Sequence, residues 1–194
     1  MSAMKFERRA AMAALVADRS KDLLVVPGLG STTWDLVAAG DNPKNFYLWG
    51  AMGGAAMIGL GLALSQPQKR VAVITGDGEM LMGIGALATI GVQKPNNLAV
   101  IVFDNGLYGE TGGQPSHTQS TVDLLTVARG SGIADCVDVT DEAGLKALSA
   151  RLKSPDGLFF ARVAIKAEEP PRVLPERDGV VIKQRFREAL GLSA

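Results

Sequence analysis

The chain has 194 residues, of which 47% are hydrophobic and 21% are charged, a composition typical of one ordinary globular domain. This composition excludes intrinsic disorder, which requires low hydrophobicity together with high net charge. Lys plus Arg and Asp plus Glu both total 20. Because no excess of positive charge attracts nucleic acid or an anionic membrane, we expect neither as a partner.

The cysteine content and the N-terminal sequence indicate a cytoplasmic protein. Cys136 is the single cysteine, which excludes a disulfide within the chain and fits a reducing compartment. The first twenty residues mix charge with Ala and Met, unlike a signal peptide. The most apolar stretch, residues 51–64, has fourteen residues and is too short to span a bilayer.

The predicted elements alternate between helices and strands. In chain order the pattern predicts a helix (4–19), a strand (22–26), a helix (34–39), a strand (46–49), a helix (51–64), a strand (70–75), a helix (79–92), a strand (97–103), a glycine-rich loop (105–120), a helix (121–130), a strand (136–139), a helix (142–153), a strand (158–165) and a short helix (181–190). Continuous Val and Ile runs indicate strands buried on both faces. We therefore predict the α/β class, as a three-layer α/β/α sandwich with a mainly parallel sheet. A single domain is expected over 1–194, with a charged, proline-rich tail from about residue 168.

Two loops that follow buried strands carry the chemistry. They are Gly76–Glu79 and Asp104–Tyr108, with 25 residues between Gly78 and Asp104. Ligands of such sheets bind at the carboxyl ends of the strands, so the loops are expected side by side. Asp77 and Asn105 supply the hard oxygen ligands that suit Mg²⁺, which typically also takes phosphate oxygens and water. The beginning of a helix at Gly78 and Glu79 favours a phosphate. The predicted ligand is a metal-bridged diphosphate.

The stretch GDGEMLMGIGALATIGVQKPNNLAVIVFDN, residues 76–105, resembles the cofactor motif of thiamine-diphosphate-dependent enzymes. Asp104 stands in place of the commoner first Asn of that motif. The resemblance implies that Mg²⁺ is held by Asp77, Asn105 and the backbone carbonyl of Leu107. It also implies cofactor contacts at Gly76, Gly78, Glu79 and Tyr108.

Two further segments resemble parts of the same cofactor site. Residues 48–64, LWGAMGGAAMIGLGLAL, resemble the loop and helix that hold the aminopyrimidine ring. By that match the Gly50 carbonyl accepts from the 4′-amino group, beside Ala51. Met52 is then the apolar wedge that bends the cofactor, so that the cofactor deprotonates itself; the alternative is that Met52 only fills the core. Residues 28–36, GLGSTTWDL, resemble a diphosphate loop. The candidates there are Gly30, Ser31 and Thr32, and a plain helix cap is the alternative.

The loop YGETGGQPSHT, residues 108–118, most resembles that of sulfopyruvate and phosphonopyruvate decarboxylases. The resemblance places Glu110 and His117 near the substrate as candidate catalytic residues, together with Met52. His117 is also compatible with a solvated loop position. Residues 33–36 stand where such enzymes often have Ser-Lys/Arg-Glu-Leu. The missing positive charge leaves a less charged small 2-oxo acid open as the substrate.

The resemblance covers residues 1–167 and only the pyrophosphate-binding domain of the family. The family also needs a pyrimidine-binding domain, whose glutamate protonates N1′ of the cofactor, and Glu79 and Glu110 lie in the wrong motifs for that role. The resemblance therefore implies the thiamine-diphosphate- and Mg-binding β subunit of a heteromeric 2-oxo acid decarboxylase. A separate pyrimidine-domain α subunit completes it, and self-association into a β2 core is expected. The alternatives are a subunit of an acetolactate synthase-like carboligase or of a 2-oxoacid oxidoreductase, and a non-enzymatic pseudo-subunit that binds the cofactor.

Overall fold

A computed structural model describes residues 5–154 and 157–192. The strands are β1 (Leu23–Pro27), β2 (Arg70–Gly76), β3 (Leu98–Asp104), β4 (Leu107–Tyr108), β5 (Gln114–Pro115), β6 (Cys136–Val139) and β7 (Phe159–Ala164). The α-helices are α1 (Arg8–Val16), α2 (Ser31–Ala38), α3 (Ala55–Ser65), α4 (Asp77–Met82), α5 (Ala86–Gln93), α6 (Leu124–Gly130), α7 (Glu142–Arg151) and α8 (Gly179–Ala189). Residue 4, where the first predicted helix begins, lies outside the described residues.

Five strands form one sheet in the order β1-β2-β3-β7-β6, and every pair in it is parallel. Successive side chains of a strand point to opposite faces, so each strand feeds two cores. Along β2, Ala72 and Ile74 face the core beneath α1, α2 and α7. Val71 and Val73 face the core beneath α3, α5 and α6. The predicted three-layer α/β sandwich is therefore confirmed.

Small residues bring α3 close to the sheet. A Cβ added to Gly59 would lie 2.1 Å from Cγ2 of Val73. Only glycine permits this approach of the helix backbone to β2. The packing fixes the loop before α3, which carries Met52, beside the carboxyl ends of the strands. Within residues 5–154 and 157–192, no helix is both long and apolar enough to cross a membrane.

The predicted strand over 46–49 is wrong. The chain makes a single parallel bridge there, between Asn45 and Val25. The Tyr47 hydroxyl accepts from Asn45 Nδ2 at 3.0 Å and donates to Asp41 at 2.7 Å. The buried Asn45 and Tyr47 side chains are therefore committed to a local network at the sheet edge, and the pairing with β1 does not extend beyond the bridge.

The predicted helix over 79–92 is broken into α4 and α5 at residues 83–85. A Cβ on Gly83 would lie 2.1 Å from the carbonyl oxygen of Gly53. Glycine at both positions lets the two loops touch through their backbones. The break thus brings the Met52 loop against the end of α4.

The predicted loop over 105–120 contains local structure. Its β4 and β5 form a short antiparallel pair, followed by a 3₁₀ turn at His117–Gln119. The amide of Ser116 donates to the Gly106 carbonyl at 2.7 Å, and Gln119 Nε2 donates to the same carbonyl at 2.7 Å. This folding returns the chain to the end of β3, where it began.

The tail beyond residue 168 packs against the sandwich. Arg9 donates to the Pro171 carbonyl at 2.8 Å, and the indole of Trp49 donates to the Glu176 carbonyl at 2.9 Å. Helix α8 then buries Ile182 in one core and Phe186 in the other. The described part of the tail is therefore fastened at several points, although its composition resembles that of a linker.

Candidate cofactor and metal site

A cavity of about 510 Å³ lies at the carboxyl ends of the central strands. Segments from six parts of the chain line it: the beginning of α1, the loop after β1 with the start of α2, the loop before α3, helix α4 with the residue before it, the hairpin loop after β3 and the tail. The predicted site residues on its wall are Ser31, Met52, Gly76, Asp77, Gly78, Glu79, Asn105, Leu107, Tyr108 and Glu110. The two loops singled out in the sequence do meet at one sheet edge.

Asp77 begins α4 and is almost completely buried, with 2% of its surface exposed. Its Oδ2 accepts from the hydroxyls of Ser116, through a short hydrogen bond, and of Thr118, at 3.2 Å. Burial raises the pKa of this carboxyl, the hydrogen bond from Ser116 lowers it, and the nearby Asp104 raises it again. A buried carboxylate of this kind is a strong cation ligand, because a cation offsets its desolvation.

The other two predicted metal ligands lie in the loop after β3. Asn105 lines the cavity, and its Oδ1 accepts from the Leu107 amide at 2.8 Å, which orients the turn. The Leu107 carbonyl oxygen lies 3.8 Å from the position of a Cβ on Gly78. The same Cβ would meet Cδ1 of Tyr108 at 2.7 Å. The absence of a side chain at Gly78 therefore lets the backbone of Leu107 and the ring of Tyr108 approach the turn that follows Asp77.

Asp104, the departure from the usual motif, has a partner that the sequence reading missed. Its Oδ2 forms an ion pair with Arg162 Nε of β7 at 2.7 Å, and Arg162 also contacts Asp138 at 3.0 Å. Oδ1 of Asp104 accepts from Thr118 at 2.9 Å and from the Gly106 amide at 3.0 Å. Thr118 therefore links the carboxylates of Asp77 and Asp104, while Arg162 neutralises the second one.

Glu79 occupies a different position. Its Oε2 accepts from the Leu29 amide at 2.9 Å and the Thr75 hydroxyl at 2.8 Å, and its Oε1 accepts from the Gly53 amide at 3.2 Å. A Cβ on Gly28 would lie 1.8 Å from Oε2. Burial raises the pKa of the Glu79 carboxyl, and these hydrogen bonds lower it. Glu79 joins the loop after β1 to the loop before α3. Its side chain reaches the cavity wall from the side of these two loops.

The loop after β1 presents one of its three predicted contacts to the cavity. Ser31 lines the wall. Thr32 is buried, and its hydroxyl donates to the Gly28 carbonyl at 3.0 Å. Gly30 has φ of +82°, and a Cβ there would lie 2.2 Å from Oε1 of Glu110. Glu110 thus lies across the Gly30 turn, on the cavity wall.

The remaining predicted residues are divided between the cavity and its surroundings. Met52 lines the cavity, Ala51 is half-buried beside the core, and Gly50 is exposed with φ of +85°. His117 is exposed and stands behind Tyr108, whose hydroxyl lies 3.2 Å from His117 Nδ1. His117 therefore acts on this cavity only through Tyr108.

The tail forms a wall that the sequence reading also missed. Residues 167–172 line the cavity together with Trp34 and Arg8. The Arg172 guanidinium lies 4.4 Å from the centre of the Trp34 ring. The tail therefore supplies a guanidinium beside Trp34 on the cavity wall.

The donor set fits Mg²⁺ and a diphosphate. One carboxylate, one amide and one backbone carbonyl are all hard oxygen donors, and so small a set leaves positions for phosphate oxygens and water. Among the described residues, no group of three or more His, Cys, Asp or Glu side chains is placed to hold a metal alone. Glycine at positions 76 and 78 keeps side chains away from the backbone beside Asp77. The phosphate oxygens of a bound diphosphate would fill the remaining coordination positions of the metal.

This parallel sheet, with an Asp and an Asn at the ends of adjacent strands, defines a cofactor-binding domain of the thiamine diphosphate class. The chain matches the family model described as thiamine pyrophosphate enzyme, C-terminal TPP binding domain, over residues 28–166. The chain therefore belongs to this family. Thiamine pyrophosphate and thiamine diphosphate are two names for the same cofactor.

Two curated relatives and one solved structure show which kinds of enzyme the chain is similar to. The chain is 37% identical over 166 residues to sulfopyruvate decarboxylase subunit beta of Methanothermobacter thermautotrophicus, covering 86% of each chain. It is 37% identical over 191 residues to phosphonopyruvate decarboxylase of Streptomyces viridochromogenes, covering 96% of this chain and 47% of that one. The chain thus spans about half of the second relative. A solved structure of benzoylformate decarboxylase from Polynucleobacter necessarius shares the fold with a TM-score of 0.71 at 20% identity, over 88% of this chain and 35% of that one.

Proposed function

We propose that this chain is the thiamine-diphosphate- and Mg²⁺-binding β subunit of a heteromeric 2-oxo acid decarboxylase. The observation that carries the proposal is that Asp77, Asn105 and Leu107, from two loops that follow adjacent strands, line the same cavity. Similarity to a protein named sulfopyruvate decarboxylase subunit beta, over most of both chains, supports the reaction class. We propose the cytoplasm as the compartment, because a single cysteine fits a reducing environment.

The bound cofactor supplies an electron sink for the carbanion that remains when CO₂ leaves. The chain's own residues bind and orient it. Asp77, Asn105 and the Leu107 carbonyl would hold Mg²⁺, and Ser31 would contact the diphosphate. Tyr108 would border the same end, with its hydroxyl oriented by His117. Glu79 keeps the loops on both sides of the cavity in position.

Met52 would be the apolar wedge beneath the cofactor's thiazolium ring, because it lines the cavity on the side of α3. Met52→Ala should leave the affinity for thiamine diphosphate nearly unchanged, since the metal and diphosphate contacts remain. Turnover by the assembled enzyme should fall, because the bent cofactor is no longer enforced. Calorimetry and steady-state kinetics separate the two effects. Unchanged turnover would make Met52 a core residue only.

The proposal requires a second chain. Glu79 is occupied by backbone amides and a hydroxyl, and Glu110 lies across Gly30. We therefore assign the protonation of N1′ to neither glutamate. A separate pyrimidine-domain α subunit would supply that group beside α3. We propose an assembly of at least α2β2, with two active sites between unlike chains, built on a β2 core.

The test is turnover of pyruvate, 3-sulfopyruvate and 3-phosphonopyruvate, with and without a separate pyrimidine-domain α chain. Decarboxylation should require both chains, thiamine diphosphate and Mg²⁺. Size-exclusion chromatography with light scattering should show the β2 core alone and α2β2 after mixing. A monomer that decarboxylates a 2-oxo acid unaided would refute the need for a partner.

The same assay distinguishes the alternatives. A carboligase would yield an acetolactate-type product instead of an aldehyde. An oxidoreductase would need an electron acceptor, and with one cysteine in its sequence this chain would depend on a partner for iron–sulfur ligands. A pseudo-subunit would bind the cofactor and show no turnover in any assembly.

A further inference from the structure

Two guanidinium groups line the cavity, and they are engaged very differently. Arg8 is buried, with 5% of its surface exposed, and its Nε lies 2.9 Å from Oδ2 of the buried Asp35. Its charge is therefore already compensated inside the protein. Arg172 is exposed, and the ion pairs within the described part of the chain do not include it.

Arg172 is nevertheless held in place. Its guanidinium stacks 4.4 Å from the centre of the Trp34 ring. The preceding residue is fixed because Arg9 donates to the Pro171 carbonyl at 2.8 Å, and Glu168 Oε1 accepts from the Arg8 amide at 2.9 Å. Prolines at 170 and 171 further restrict the backbone. The cation is therefore oriented before any ligand arrives, which lowers the entropic cost of binding.

Contact with the Trp34 ring leaves donors of the guanidinium available. The group carries five N–H donors, and within the described part of the chain no ion pair takes them up. Carboxylate, sulfonate and phosphonate oxygens accept pairs of such donors. Arg172 thus provides an anion contact in the same cavity that Asp77 and Asn105 line.

We propose that Arg172, held against Trp34, binds the second acidic group of the 2-oxo acid substrate. This inference rests on the proposed function, because it assumes a 2-oxo acid in this cavity. Glu169, which also lines the cavity, opposes such a ligand and sets a limit on its affinity. The substrate class is therefore a 2-oxo acid that carries a further carboxylate, sulfonate or phosphonate.

The test uses the full chain loaded with thiamine diphosphate and Mg²⁺, and two unreactive probes. 3-Phosphonopropionate carries the second acidic group and propionate lacks it. Arg172→Gln should lower the affinity for 3-phosphonopropionate about tenfold, equivalent to about 1.4 kcal/mol, and leave the affinity for propionate unchanged. Arg172→Lys should restore part of the loss. Glu169→Gln should tighten 3-phosphonopropionate, because it removes a negative charge beside the ligand.

Arg177→Gln is the matched control. Arg177 stacks on Trp49, 5.4 Å from the ring centre, and does not line the cavity, so its loss should leave both probes unaffected. Equal binding of the two probes, or indifference to Arg172→Gln, would overturn the inference. A tenfold loss of thiamine diphosphate affinity in Arg172→Gln would assign the contact to the cofactor and overturn it as well. Failure of the wild-type chain to bind thiamine diphosphate at all would instead refute the proposed function.

Discussion

Asp77 and Glu79 are two residues apart in the first turn of α4, and both are buried, but their surroundings differ. Glu79 faces the loops after β1 and before α3, and backbone amides of Leu29 and Gly53 donate to its two oxygens. Asp77 faces the hairpin after β3, and the hydroxyls of Ser116 and Thr118 donate to its Oδ2. One carboxylate joins backbone segments, and the other is available to an incoming cation.

From this difference we infer that one short motif serves both folding and binding. Rigid amide donors fix the Glu79 carboxylate, so its loss should affect stability first. Hydroxyls rotate to suit the species bound, so Ser116 and Thr118 accommodate Asp77 with or without a metal. Arg162 neutralises the neighbouring Asp104. This ion pair limits the electrostatic repulsion between the carboxylates of Asp77 and Asp104.

The largest effect is expected at Glu79. Glu79→Ala should lower the free energy of unfolding by at least about 2 kcal/mol, because buried amide donors lose their acceptor. Asp77→Ala should change it by less than about 1 kcal/mol, since it also removes a buried charge. Denaturant unfolding of both variants without metal or cofactor measures this. If Glu79→Ala is as stable as the wild type and only cofactor binding suffers, the two carboxylates have the same role and the comparison fails.

A smaller effect is expected at Arg162. Arg162→Gln should cost about 1–2 kcal/mol, because Asp104 stays buried without its cation while Arg162 itself is partly exposed. Asp104→Asn in the same chain should recover most of the loss, since an amide needs no neutralisation. A double-mutant cycle by thermal unfolding measures the coupling. Additive effects of the two substitutions would show that the ion pair between Arg162 and Asp104 contributes nothing to the stability of the region around Asp77.

The smallest effect is expected at Gly78, which separates the two carboxylates. Gly78→Ala places a Cβ 2.7 Å from Cδ1 of Tyr108, so we expect a stability loss of about 1 kcal/mol and weaker thiamine diphosphate binding. Gly61→Ala is the control, because no atom beyond its chain neighbours and its own helix lies within 4 Å of the added Cβ and Gly61 does not line the cavity. Equal cofactor affinity in the two variants would mean that Tyr108 does not border the ligand.

The sheet and the meeting of its loops could be predicted, because buried parallel strands carry continuous apolar runs such as VAVIT and NLAVIVF. The break between α4 and α5 had a local signal in Gly83-Ile84-Gly85 that the helical pattern outweighed. No local signal predicted the ion pair of Arg162 with Asp104. The two residues lie 58 positions apart in sequence, and only strand pairing brings them together. The position of Arg172 depends on the tail's contacts with Trp34 and Arg9, which a proline-rich composition does not reveal.

The most direct measurement is calorimetric titration of thiamine diphosphate into the wild-type chain, Asp77→Asn and Asp104→Asn, each with Mg²⁺ and with a chelator. The wild type and Asp104→Asn should bind only with Mg²⁺, because Asp104 does not line the cavity and the amide oxygen of Asn still accepts from Gly106 and Thr118. Asp77→Asn should show no Mg²⁺-dependent binding, because the single carboxylate ligand is lost. Unchanged affinity in Asp77→Asn, or binding that ignores the chelator, would contradict the assignment of this cavity to a metal-bridged diphosphate.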